Sequence, residues 1–100
     1  MAKRRVVVTG LGMVSPVGLS VKESWDNILA GKSGIGPIEH FDASAFSTRF
    51  GGSVWGFDVS NYLSPKEARK MDPFIHYGIA AAKEAIEDSG LEVTDENAER

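Results

Sequence analysis

The run Arg4-Arg5-Val6-Val7-Val8-Thr9-Gly10-Leu11-Gly12-Met13-Val14-Ser15-Pro16-Val17-Gly18 constrains this chain more than any other stretch. Val6 to Val8 are consecutive β-branched residues, which favour extended backbone. Apolar side chains continue through Leu11, Met13 and Val14 without the polar alternation of a half-exposed strand. A strand patterned this way is buried on both faces. It needs layers above and below it and strands on either side, cover that 100 residues must supply or borrow. Gly10, Gly12, Pro16 and Gly18 punctuate its exit, where backbone must turn or approach something closely.

A glycine-rich exit from a buried strand raises the dinucleotide-binding turn G-x-G-x-x-G. Gly10 and Gly12 match its first two positions, but Ser15 stands where the third glycine belongs and Pro16 follows it. The helix whose N-terminus would cradle a pyrophosphate starts only near Ser20. Gly31-Lys32-Ser33 lacks the earlier glycine of a phosphate loop and follows a helical pattern rather than a strand. A nucleotide-binding α/β domain therefore remains only as an alternative.

Charge narrows the partners. The formal net charge is −3 and the isoelectric point is near 5.3, with local basic knots at Lys3-Arg4-Arg5 and at Lys66, Arg69 and Lys70. A nucleic-acid binder would carry a broad basic face instead. There is no cysteine, so these residues offer no disulfide, thiolate metal site or cysteine nucleophile, which fits a reducing cytoplasm. No apolar run approaches the roughly 18 residues of a membrane span. The basic start followed by valines is broken by Gly10, Gly12 and Pro16 and lacks a small-residue cleavage site, unlike a secretory signal.

Helix signals then recur. Ser20-Val-Lys-Glu23 forms a capping box, with Val21, Trp25, Ile28 and Leu29 as an apolar stripe and Gly31 as a left-handed stop. Residues 32–48 read as an irregular excursion pinned by Ile35, Ile38, Phe41 and Phe46. His40, beside Glu39 and Asp42, has no second histidine or cysteine nearby to make a metal site, so local hydrogen bonding is expected of it. Phe50 to Phe57 reads as a short edge strand, with glycines where another backbone comes close. Ser64-Pro-Lys-Glu67 is a second capping box with proline at the first helical position, opening a short helix. Asp72-Pro73 starts a long helix to about Ser89, with Ile75, Ile79, Ala82 and Ile86 as the buried seam. Gly78, Ala80, Ala81 and Ala85 give it a close-packing surface, and His76, Lys83, Glu84, Glu87 and Asp88 a polar face. Gly90-Leu91 predicts a Schellman ending with Leu91 against Ile86, and Thr94-Asp95 one further turn.

Several strings together resemble the N-terminal segment of the β-ketoacyl-acyl-carrier-protein synthases, specifically the type II elongating condensing enzymes of bacterial fatty-acid synthesis. They are Arg5 to Gly18, Ala30-Gly-Lys-Ser-Gly-Ile35, His40-Phe-Asp42, Gly52-Ser-Val54, Lys66-Glu-Ala-Arg-Lys-Met-Asp72 and Asp88-Ser-Gly-Leu91, in order along nearly the whole chain. The resemblance implies an α/β, thiolase-like layered α/β/α/β/α sandwich. Residues 1–100 would supply only its N-terminal part, comprising a buried strand, a helix, a short strand and two helices. It implies a cytoplasmic homodimer, with no cofactor, that condenses acyl thioesters with malonyl-acyl-carrier protein in fatty-acid biosynthesis. It also implies a catalytic cysteine and two histidines, none of which falls within these residues. Neither His40 nor His76 matches a catalytic position. One functional feature does map here, the cations that dock the acidic helix of acyl carrier protein, at Lys66, Arg69 and Lys70. By residue pattern alone the same cluster reads as a solvated helix face. A non-catalytic or polyketide-type ketosynthase subunit, and a small autonomous scaffold, are the further alternatives.

Overall fold

The computed structural model describes residues 3–99; Met1, Ala2 and Arg100 lie outside the described residues. In order come helix α1 (Val21–Leu29), strand β1 (Ile35–Pro37), strand β2 (Phe50–Gly52), a 3₁₀ turn (Val59–Asn61), helix α2 (Pro65–Ala68) and helix α3 (Pro73–Ser89). β1 and β2 pair antiparallel, Ile35 opposite Gly52 and Pro37 opposite Phe50, and the Ile38 N–H to the Arg49 carbonyl extends the pairing. β1 lies inside the stretch expected to be irregular, and β2 covers only the first part of the strand expected over Phe50 to Phe57. Gly36 and Pro37 carry little strand propensity, and the pairing itself makes β1 a strand.

The caps form where their residues stand. Ser20 Oγ accepts from the Glu23 N–H, Ser64 Oγ from the Glu67 N–H, and the Asp72 carboxylate from the Phe74 N–H, with Pro65 and Pro73 in the first turns. Gly31 and Gly90 both stop helices at positive φ, 74° and 71°. The full Schellman pair is found at Gly31, where Lys32 N–H reaches the Asn27 carbonyl and Gly31 N–H the Ile28 carbonyl. At Gly90 the outer bond is relayed. Leu91 N–H donates to Ser89 Oγ, which donates to the Ile86 carbonyl. Thr94 closes its turn the other way round, its N–H donating to the Asn97 side chain at 2.7 Å.

The N-terminal segment crosses α3 at closest approach. A Cβ on Gly12 would lie 1.7 Å from the Ala81 carbonyl oxygen, and one on Gly10 2.2 Å from that of Ala85. Ala81, Ala85 and Ser89, spaced four apart on one helix face, form the shallow groove that receives this backbone. The segment then closes a tight turn, with Ser15 and Gly18 exchanging both backbone hydrogen bonds, and Pro16 wedges against Gly34 and Gly52 of the hairpin region. The turn rests on the polar side of α1. Ser15 Oγ meets Ser24 Oγ at 2.8 Å, and the Asn27 amide donates to the Val17 carbonyl.

Two expected cores are therefore displaced. On α1 the buried residue is Ser24, 0 % exposed, while Trp25, Ile28 and Leu29 face outward. On α3 the most buried residue is Ala80, with Ile86 exposed and Ile75 and Ile79 half-buried, so the small-residue side and not the isoleucine seam packs within the chain. Val6, Val7 and Val8 join no ladder among the described residues and are 89, 72 and 79 % exposed. The Cα radius of gyration, 17.8 Å, exceeds the roughly 13 Å of a self-contained 100-residue domain. The surface area, 8393 Å², likewise exceeds the roughly 5,500 Å² that mass scaling gives.

Two outcomes are expected from this packing. The isolated 100-residue polypeptide will associate through its uncovered apolar faces, and size-exclusion chromatography with light scattering will show polydisperse oligomers in place of a cooperatively melting monomer. In a full-length protein, Gly12→Val will cost at least about 3 kcal/mol, the upper end of overpacking penalties, because backbone on both sides cannot retreat. Soluble yield and Tm check it, and an unchanged Tm refutes it.

Candidate functional site

The basic cluster is built on a short, firmly tied turn. Asp58 caps the 3₁₀ turn, accepting from the Ser60 hydroxyl at 2.6 Å and the Ser60 N–H at 2.9 Å. These bonds, the hydroxyl's first, hold its carboxyl below the usual aspartate value. Phe57 then stacks on Tyr62 at 5.7 Å and meets Tyr77 of α3 edge-on at 5.0 Å, while the Lys83 ammonium lies 5.4 Å over the Tyr62 ring. From the other side His76 Nε2 lies 3.0 Å from the Ala68 carbonyl, an acceptor only, so Nε2 carries the proton. The aromatic packing ties Phe57 and Tyr62 to α3, and this hydrogen bond joins α2 to it.

Lys66 sits in α2, Arg69 is its C-cap, and Lys70 follows in the next turn. All three are exposed, and among the described residues the ion pairs within 4.0 Å are Lys22–Asp26 and Lys83–Glu87, so the cluster's charge is unspent. The turn does not stay α-helical. Arg69 N–H bonds back four residues to Pro65, but Lys70 and Met71 bond back three, to Glu67 and Ala68. Lys66 and Arg69, three apart within the α-type turn, are neighbours on its surface, and the tighter bond of Lys70 draws it toward Glu67. Lys66, Arg69 and Lys70 thus stand as exposed cations on one short turn, with Lys70 drawn toward Glu67.

The glycine turn has no room for a phosphate. Gly10 and Gly12 are pressed against α3, and the N-terminus of α1, where a pyrophosphate would sit, already holds a carboxylate. Glu84 Oε1 accepts from the Val21 N–H at 3.0 Å and from the Met13 N–H at 2.9 Å, and Asp88 accepts from the Leu11 N–H at 3.0 Å. Periodicity places both acids on the polar face of α3 and does not register that a carboxylate there turns toward backbone donors. His40 bonds not within its own loop, as expected, but across to the segment after β2, its Nε2 lying 3.0 Å from Ser53 Oγ and its ring stacked on Trp55. Among the described residues no three acidic, histidine or cysteine side chains converge as a metal site, and no helix is long and apolar enough to cross a membrane.

The family model for the β-ketoacyl synthase N-terminal domain matches residues 3–100. The chain belongs to the β-ketoacyl synthase family. It is 66% identical over 100 residues to the 3-oxoacyl-[acyl-carrier-protein] synthase 2 of Vibrio cholerae, and 50% identical over 100 residues to that of Coxiella burnetii. In each case the match takes in all of this chain and 24% of the relative. Among solved structures, the ishigamide ketosynthase/chain length factor superposes with a TM-score of 0.80 at 35% identity, over 91% of this chain and 23% of that one. The chain spans about a quarter of the length of the curated relatives it matches. Its fold is thus that of the N-terminal part of a ketosynthase.

With the α1 N-terminus filled by Glu84, calorimetric titration of a full-length ketosynthase bearing this segment with NAD or ATP will show no saturable heat that Glu84→Ala alters. Binding lost on Gly12→Ala without loss of stability would restore the nucleotide reading.

Proposed function

We propose that the intact protein is a fatty-acid elongating condensing enzyme and that this segment is its N-terminal scaffold and part of its carrier-docking face. The reaction joins an acyl thioester to malonyl-acyl-carrier protein. The bond from the malonyl α-carbon to its carboxylate breaks and carbon dioxide leaves. That carbon bonds the acyl carbonyl as the acyl C–S bond breaks, and the thiol takes up a proton and departs, leaving 3-oxoacyl-acyl-carrier protein. The observation that carries this reading is 66% identity along the entire chain to a protein named 3-oxoacyl-[acyl-carrier-protein] synthase 2. The polyketide-type reading rests on the likeness to a ketosynthase/chain length factor and is the weaker at 35% identity. No residue of this segment is given a catalytic role.

The same reading extends to the architecture. We propose that residues 1–100 enter a five-layered thiolase-like sandwich of a cytoplasmic homodimer, where Val6 to Val8 take strand partners from the remainder of the subunit. Their exposure in this segment supports it, because three adjacent valines on an open edge would be costly without cover.

For the docking face, Lys66, Arg69 and Lys70 suit an acidic helix. Exposed contacts of this kind contribute only about 0.5–1 kcal/mol each and are screened beyond roughly 10 Å at 0.1 M salt, so they act mainly on encounter and orientation. In the full-length enzyme Lys66→Glu with Arg69→Glu will raise KM for the acyl carrier substrate roughly ten-fold at low salt. Turnover of small thioester mimics and Tm will stay near wild type. Lys70→Glu alone will do less than Arg69→Glu, since Lys70 is drawn toward Glu67. Steady-state kinetics on both substrates at two salt concentrations decides it. A double variant that handles the carrier as well as wild type at low salt would leave the cluster as a solvated helix face. Failure of the wild-type enzyme to form the 3-oxo product would instead overturn the condensing reading.

A further inference from the structure

Three elements meet at one atom. Glu84 Oε1, on α3, lies 2.9 Å from the Met13 N–H of the N-terminal segment and 3.0 Å from the Val21 N–H at the first residue of α1, while Oε2 adds only a longer contact of 3.3 Å to Val21. The first N–H groups of a helix have no partner within it, and Met13 pairs with no strand among the described residues, so Glu84 is the protein acceptor for both donors. The neighbouring cations are engaged elsewhere. Lys22 bonds Asp26 at 2.8 Å, and Lys83 is turned toward Glu87 and the Tyr62 ring.

We infer that Glu84 is a positioning residue whose single acceptor oxygen fastens the N-terminal segment and α1 to α3, and that the oxygen, not the negative charge, does the fastening. An sp² oxygen has two lone pairs, enough for both donors, and the carbonyl oxygen of a glutamine has the same two. The helix macrodipole favours an anion at this place, but by less than the net contribution of the two hydrogen bonds. Substitutions of similar size therefore differ in effect. Glu84→Gln keeps the acceptor, Glu84→Met keeps the volume without it, and Glu84→Asp keeps the charge but draws it back by one methylene.

The experiment is amide hydrogen exchange on the full-length enzyme, read in peptides spanning residues 10–24 against peptides elsewhere. Glu84→Met and Glu84→Asp are expected to speed exchange of the Met13 and Val21 amides about ten-fold, the loss expected of one hydrogen bond each, with distant peptides unchanged. Glu84→Gln is expected to stay within about three-fold of wild type, as the conservative rescue. If Glu84→Met does not fold, Glu84→Asp makes the same test. The inference is overturned if the Met and Asp variants exchange like wild type here, if exchange rises uniformly across the protein, or if Glu84→Gln exchanges as fast as Glu84→Met, which would make the charge the active element.

Discussion

Everything else in this segment leans on the contact between the N-terminal backbone and α3. Gly10 and Gly12 come so near Ala81, Ala85 and Ser89 that no side chain fits between them. Backbone N–H donors of Leu11, Met13 and Val21 are left beside this contact, and Glu84 and Asp88 accept from them on the same helix. One helix face thus supplies both the shallow groove and the acceptors. This is an arrangement of backbone against backbone, tight because its residues are small and specific because its carboxylates are placed one turn apart.

That contact sets the position of the rest. The Ser15–Gly18 turn follows from where the segment leaves α3. It sits on Ser24 and Asn27 of α1 and brings Pro16 against the hairpin. At the other end of α3, Tyr77 and His76 hold the 3₁₀ turn and α2, so Lys66 and Arg69 stand on a base that is rigid through aromatic packing rather than through helix length. A helix of four residues would not hold two cations in line unaided.

The local chemistry was legible in the sequence. Ser20, Ser64 and Asp72 cap helices because a hydroxyl or carboxylate next to free N–H groups needs no distant partner, and Gly31 and Gly90 stop them because a left-handed residue without a Cβ is unstrained. The motif strings from Arg5 to Leu91 carried the family by themselves. The basic cluster could be found from composition, yet its geometry could not. That Lys70 is drawn toward Glu67 depends on a carbonyl being reached at three residues rather than four.

Tertiary structure decided which faces pack. Periodicity marked Trp25, Ile28 and Leu29, and Ile79 and Ile86, as apolar stripes, but a stripe states only that cover is needed, not where it comes from. Within this segment the covered faces are the polar and small ones, Ser24 and Asn27 on α1 and Ala81, Glu84 and Ala85 on α3, because only they fit a neighbouring backbone at close range. The strand β1 is another such case, since Gly36 and Pro37 carry no strand signal and gain one from Phe50 and Gly51 opposite. Caps, stops and family motifs are properties of neighbours in sequence and were determined there. Burial, register and the partner of Glu84 are properties of neighbours in space, which only the folded chain brings together.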